Sequence, residues 1–189
     1  MAIKTNGNSN LALSKNLILV SGGCKSGKSR WAEYLISEEP NVLYIATGLH
    51  DYNDTEWEER IKEHKRRRPN HWKVIEIKGE LTELINQNKE EILLIDSLGG
   101  FVTANLDMHE KDWKEHINQL IEALINHEKT VIIVSEQTGW GVVPETKIGN
   151  TFRDRLCRLS EEIEVICKYS WLVIQGRAID LKQISIRVP

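Results

Sequence analysis

The feature that most constrains the fold is the stretch GGCKSGKS, Gly22 to Ser29, which directly follows the apolar run LILVS. It fills the pattern Gly-x-x-x-x-Gly-Lys-Ser. Glycines let successive backbone N–H groups turn inward around phosphate oxygens. With a strand before it and a helix after it, the pattern is a Walker A loop. Every residue from Gly22 through Gly23, Cys24, Lys25, Ser26 and Gly27 to Lys28 and Ser29 is then a candidate phosphate contact. The helix beginning near Lys28 offers its positive end. Lys28 is placed to reach the β- and γ-phosphates, and the Ser29 hydroxyl to bind Mg²⁺. The competing reading is a chance glycine-rich turn, and the flanking pattern weighs against it. Cys24 is read as a small residue of the loop, not as a nucleophile.

From Asn16 onward short apolar runs alternate with amphipathic stretches. Strands are expected at 17–21, 42–46, 73–77, 92–96, 131–135 and 171–175. Most are nearly unbroken Val, Ile and Leu, as strands covered on both faces are. Helices are expected at 28–38, 54–67, 80–88, 110–127 and 148–167, and the tail AIDLKQISIRV is expected to end in one more strand. The alternation predicts an α/β, P-loop NTPase-like chain with a mostly parallel central sheet flanked by helices. A length of 189 residues suits one catalytic domain, from residue 16 to 189. Residues 1–15, polar and rich in Asn and Ser, are expected to be a loose tail.

Composition narrows the function. At 40% hydrophobic and 28% charged residues, core formation is not in doubt. A net charge of -3 gives no support to a general nucleic-acid binder, so any cationic function is local. Cys24, Cys157 and Cys167 form no CxxC pair, which argues against a disulfide framework or zinc knuckle and fits a reducing cytosol. No apolar run approaches the roughly 18 residues of a membrane span. The first residues lack the apolar region of a signal peptide. A cytoplasmic protein is expected.

A phosphate cradle of this kind works with a second carboxylate for the metal. The run ILLID ends in Asp96, at the C-terminal end of a buried strand, where ligands bind in such sheets. Asp96 with Ser29 is the expected metal pair; the alternative for Asp96 is a helix N-cap. A GTPase switch fits DSLG at 96–99, but the one near match to Asn-Lys-x-Asp, NKEE at Asn88, precedes Asp96 and lacks the aspartate. A nucleic-acid motor would want more chain and a wider basic surface.

The segment ERIKEHKRRRP, Glu59 to Pro69, gathers Arg60, Lys62, Lys65, Arg66, Arg67 and Arg68 around His64. On a helix, Glu56, Arg60 and His64 share one face. The bland reading is a solvated basic face with an idle histidine. The sharper one is that several cations keep the imidazole neutral and nucleophilic at pH 7 while neutralising an attacked phosphate. Such a histidine can take a nucleotidyl group covalently.

Taken together, GGCKSGKS, YIATG (44–48), DTEWEERIKEHKRRRPNHW (54–72), ILLID, VSEQTGWGVVP (134–144) and FRD (152–154) resemble, in order, one family. It is the bifunctional adenosylcobinamide kinase / adenosylcobinamide-phosphate guanylyltransferase family of cobalamin synthesis, and the resemblance covers residues 17 to 182. It implies two reactions. The first passes a γ-phosphoryl from ATP or GTP to the hydroxyl of the aminopropanol arm of adenosylcobinamide. The second attaches GMP to that phosphate and releases pyrophosphate. The resemblance places the guanylylated histidine on His64. It places nucleotide contacts on Gly22 through Ser29, on Thr47, Gly48 and Leu49, on Lys65, Arg66, Arg67 and Arg68, and on Glu76 and Asp96. It also implies a corrinoid partner, no nucleic acid, and a homo-oligomer, a trimer.

The chain departs from the family pattern in places. Glu136-Gln137 stand where Asn-Glu is usual, Cys157 where a glycine is, and Ser160-Glu161 where Asn-Gln is. The segment SLGGFVTANL after Asp96 lacks the usual threonine and is one residue longer. These changes bear on the kinase half before the guanylyl half, because the histidine segment is intact. Trp57, Trp72 and Trp140 are candidates for a wall against the large corrinoid, with core packing as the alternative. Two rival functions remain: a P-loop small-molecule kinase whose His64 is inert, and a nucleotide-dependent regulatory protein.

Overall fold

The computed structural model describes residues 16–48 and 66–188. The expected tail at 1–15, most of the expected helix at 54–67, and with them Leu49, His64 and Lys65, lie outside the described residues. The strands are β1 (Leu17–Gly22), β2 (Val42–Ala46), β3 (Lys73–Glu76), β4 (Ile92–Asp96), β5 (Val131–Glu136), β6 (Tyr169–Ile174) and β7 (Arg177–Asp180). They form one sheet in the order β3-β2-β4-β5-β1-β6-β7. Every neighbouring pair is parallel except β6 with β7. The expected mostly parallel α/β sheet is what forms.

The apolar runs that predicted the strands split by alternation into two buried layers, because successive side chains on a strand point to opposite faces. Leu19, Leu43, Ile45, Leu93, Ile95, Val131 and Ile133 face one layer. It is filled by α2 (Leu81–Gln87), α3 (Leu98–Ala104), α4 (Glu110–Asn126) and α5 (Lys147–Ile166). Ile18, Val20, Val42, Tyr44, Leu94, Ile132 and Val134 face the other, with Ala32 and Ile36 from α1 (Lys28–Leu35) and its C-cap, and with Trp72. β3 is different. It is an edge strand, and all four of its residues are exposed.

Two departures from the sequence expectation have local causes. The helix α3 was not foreseen, since Gly99 and Gly100 lower helix propensity. It forms because Leu98, Phe101 and Val102 all bury. The tail does not end in a strand; its strand, β7, stands at its start and turns back antiparallel through Gln175-Gly176, where both residues have positive φ (48° and 73°). That is the backbone a two-residue hairpin needs. The chain then enters the short helix α6 (Leu181–Ile184) rather than extending the strand. Arg155 of α5 ties the helical layer together by donating to the carbonyls of Asn105 (2.9 Å) and Met108 (2.6 Å). Among the described residues no helix is long and apolar enough to cross a membrane.

Candidate functional site: a phosphate cradle and its carboxylate

The register sets the site. Ala46 pairs with Glu76 on one side and Asp96 on the other, Asp96 with Val134, and Gly22 with Glu136. The C-terminal ends of five strands therefore lie along one edge, where open α/β sheets bind ligands.

At that edge the chain leaves β1 through the glycine loop. A Cβ at Gly22 would run into the Val173 carbonyl and lie 2.6 Å from Ser26 Oγ, so only glycine fits. Gly27, with φ 100°, is the left-handed N-cap of α1. It has no side chain to cap the helix, which leaves the first N–H groups of α1 directed at the loop's interior. The loop is pinned from outside: Gln137 N–H donates to Gly22 O (2.9 Å) and Gly176 N–H to Ser26 O (3.0 Å). Lys28 is buried and its Nζ donates to Gly23 O at 3.3 Å. Cys24 and Lys25 are exposed on the loop's outer side.

Asp96 closes the floor of the site. Ser29 Oγ donates to its Oδ1 at 3.4 Å, and Tyr44 Oη donates to its Oδ2 at 2.6 Å. The carboxylate is turned toward the cradle. The N-cap position of α3 falls to Ser97 instead. Ser29 and Asp96 offer a hard cation two oxygen donors, the chemistry Mg²⁺ requires. Among the described residues no group of three or more His, Cys, Asp or Glu is placed to hold a metal. That donor set suits an ion that takes the rest of its coordination from phosphate and water.

The turn after Asp96 is clamped from both sides. The hydroxyl of Thr47, itself buried, accepts from Ser97 N–H at 2.9 Å and donates to the Ser97 carbonyl. Across the turn, the Glu136 carboxylate accepts from Ser97 Oγ and from Gly99 N–H (3.0 Å), capping α3 from another strand. Thr47, expected as a nucleotide contact, is thus occupied with the Ser97 backbone, and Gly48 follows it half-buried. Ser160, another departure from the family pattern, shares a 2.7 Å hydrogen bond with Ser135 Oγ below Glu136.

The basic segment meets the cradle through Arg67 and Arg68. Arg67 donates through Nε and one terminal nitrogen to the two carboxylate oxygens of Glu33, at 3.2 and 3.4 Å. Glu33 sits on α1, the cradle's own helix, and is 7% exposed. Burial raises its pKa above the ordinary carboxylate value, while Arg67 pulls it back. Arg68 lies over the Tyr44 ring with its guanidinium carbon 3.7 Å from the centroid. Tyr44 is 2% exposed, and burial, then the Asp96 charge, raises its pKa, so it remains a donor. Arg66 is exposed beside them, and Glu76 is exposed at the end of β3.

Tyr44 and Glu136 stand in the quoted segments YIATG and VSEQTGWGVVP, and Glu33 in none; none of the three was foreseen as a site residue. Tyr44 had one signal: a phenol inside an otherwise aliphatic buried strand needs a polar partner. Of the three tryptophans weighed as a corrinoid wall, Trp72 belongs to the core, Trp57 lies outside the described residues, and Trp140 stands 64% exposed on the loop after β5. A cleft of about 470 Å³ lies elsewhere, between α4 and α5, and none of its lining residues belongs to the cradle.

Comparison with known proteins follows the same lines. Residues 18–181 match the family model described as cobinamide kinase / cobinamide phosphate guanyltransferase. The chain is 35% identical over 182 residues to the bifunctional adenosylcobalamin biosynthesis protein CobU of Escherichia coli (strain K12), covering 88% of this chain and 99% of that protein. It is 34% identical over 182 residues to the protein of the same name from Salmonella typhimurium, with the same shares covered. Among solved structures, an ATPase from the type III secretion system of pathogenic bacteria superposes with a TM-score of 0.54 at 10% identity, over 92% of this chain and 59% of that one. This last likeness concerns the fold alone.

Proposed function

The chain belongs to the cobinamide kinase / cobinamide phosphate guanyltransferase family, and from that premise we propose how its residues divide the two transfers. In the first, the hydroxyl of the adenosylcobinamide arm attacks the γ-phosphorus of ATP or GTP. The new P–O bond forms as the bond to the bridging oxygen breaks, and the nucleoside diphosphate leaves. The cradle supplies position and charge: backbone N–H groups of Gly22 to Ser29 hold the phosphates, and Lys28 moves from Gly23 O onto them. Ser29 and Asp96 would hold Mg²⁺, which when bound draws charge off the phosphate oxygens.

In the second transfer a neutral imidazole nitrogen of His64 attacks the α-phosphorus of GTP. A P–N bond forms, the α–β P–O bond breaks, and pyrophosphate leaves. The phosphate of the corrinoid then attacks the same phosphorus, the P–N bond breaks, and adenosylcobinamide-GDP is released. Lys65 and Arg66 supply charge at the phosphates. Arg67 and Arg68 serve as anchors. The observation that carries this reading is their tie to Glu33 on the cradle's helix and to Tyr44 at the Asp96 carboxylate. His64 and Arg67 are three positions apart, at most about 11 Å of chain.

Product analysis by mass spectrometry tests the division. With adenosylcobinamide, ATP, GTP and Mg²⁺ the wild type makes adenosylcobinamide-GDP. His64→Ala stops at adenosylcobinamide phosphate. A His64→Ala enzyme that still makes the GDP product refutes the assignment; a wild type that never passes the phosphate favours the kinase with an inert histidine. We also carry the trimer over from the family resemblance, and sedimentation of the purified chain tests it.

A further inference from the structure

We propose that Tyr44 is a positioning residue that sets the Asp96 carboxylate for its metal and makes the metal's hold depend on the Arg68 guanidinium over its ring. The inference rests on the assignment of Ser29 and Asp96 as the Mg²⁺ pair. Three observations carry it. The Tyr44 hydroxyl donates to Asp96 Oδ2 at 2.6 Å, while Ser29 holds Oδ1 at 3.4 Å. The two bonds fix the rotation of one carboxylate between two elements. The ring is buried and cannot swing out without opening the second core layer. Its outer face carries the Arg68 guanidinium at 3.7 Å.

The chemistry joins these into one path. A cation over the π-face draws electron density from the phenol and makes its O–H a stronger donor. A stronger donor holds Oδ2 more firmly and keeps Oδ1 facing Ser29. Arg68 follows His64 by four residues, and its neighbour Arg67 is locked to Glu33. With Arg68 over the ring the carboxylate is fixed; without it the carboxylate gains freedom. Arg68 thereby acts on the metal site through the Tyr44 hydroxyl.

The test uses the full-length protein with Mn²⁺ as the spin probe and a GTP analogue whose α–β bridge is a methylene, so no turnover intervenes. Free Mn²⁺ is measured by electron paramagnetic resonance for wild type, Tyr44→Phe, Arg68→Met and the double variant. Tyr44→Phe keeps the buried ring and is expected to weaken Mn²⁺ about tenfold, the scale on which partners of metal ligands act. Arg68→Met is expected to weaken it several-fold, and the double variant to add little to Tyr44→Phe, since the hydroxyl that transmits the cation is already gone. Nucleotide affinity without metal stays at the wild-type value in Tyr44→Phe. Mn²⁺ affinity within about twofold of wild type in Tyr44→Phe, or fully additive effects in the double variant, overturns the proposal. A wild type that binds no Mn²⁺ with the analogue overturns the metal pair itself. If Tyr44→Phe proves unstable by circular dichroism, Arg68→Met at the partly exposed end of the path decides alone.

Discussion

Two glycine-containing turns stand at the same edge of the sheet. Both have a glycine whose Cβ space is taken, Gly22 in the first, but only the first also has a left-handed and an open glycine. In the first, Gly22 to Gly27, the chain must bend into a left-handed cap at Gly27 and present N–H groups inward. At Gly23 nothing lies within 4 Å of where a Cβ would stand. In the second, Gly99-Gly100, φ is ordinary and the space is taken. A Cβ at Gly99 would sit 2.6 Å from Glu136 Oε2, and one at Gly100 would strike the Thr47 backbone carbonyl. The first turn is shaped for a ligand to come; the second is shaped by neighbours already there. Space stays open at Gly23, while Gly99 and Gly100 are packed against Glu136 and Thr47 beside Asp96.

Substitutions separate the two. The largest effect is expected in the open turn from Lys28→Ala. Both transfers should fall by about 10²–10³-fold, as when a charge-stabilising donor is removed, with little change in thermal midpoint. A fall in stability matching the fall in rate would make Lys28 a structural residue. In the closed turn, Gly100→Ala should cost about 1–3 kcal/mol by urea unfolding, the cost of overpacking a filled space. Unchanged stability would mean that the Thr47 contact yields easily.

A smaller effect is expected where the basic segment joins α1. Burial raises the Glu33 pKa, so its folded-state proton affinity exceeds that of the unfolded chain. Its contribution to stability is then full in acid and lost as pH climbs through the carboxylate range. Glu33→Gln cannot titrate, so the wild type should lose stability relative to it as pH rises from the ordinary carboxylate range upward. The opposite slope would show that the pair with Arg67 dominates the burial. The smallest effect on stability belongs to Gly23→Ala, within about 0.5 kcal/mol of wild type, with weaker nucleotide binding. Titration with a nucleotide analogue beside a urea melt checks both halves.

The same contrast explains what could be read in the chain. The open turn was legible because a phosphate imposes residue types at fixed spacing, and Asp96 followed because it ends an aliphatic strand. The closed turn was not, since its partners Glu136 and Thr47 stand 37 and 50 residues away along the chain. Only the sheet order β2-β4-β5 brings them to either side of Ser97. Glu136 entered as a departure from a family pattern and is a two-bond cap in the structure. Tyr44 was read only as part of the 42–46 strand and of YIATG; its ring is in the core and its hydroxyl at the Asp96 carboxylate. Arg67 and Arg68 were expected on the nucleotide; their ties to Glu33 and Tyr44 could not be read from the chain. The alternation of apolar runs gave the strands, and the glycines of SLGG hid α3, which forms because burial of Leu98, Phe101 and Val102 outweighs propensity.

The measurement that bears most directly on the whole account is peptide mass spectrometry of the protein after incubation with GTP and Mg²⁺, quenched in base to preserve a phosphoramidate. The account predicts one GMP on the peptide that contains His64, none in His64→Ala, and none in Lys28→Ala at early times. GMP on another residue, or pyrophosphate release with His64 unmodified throughout, would contradict it.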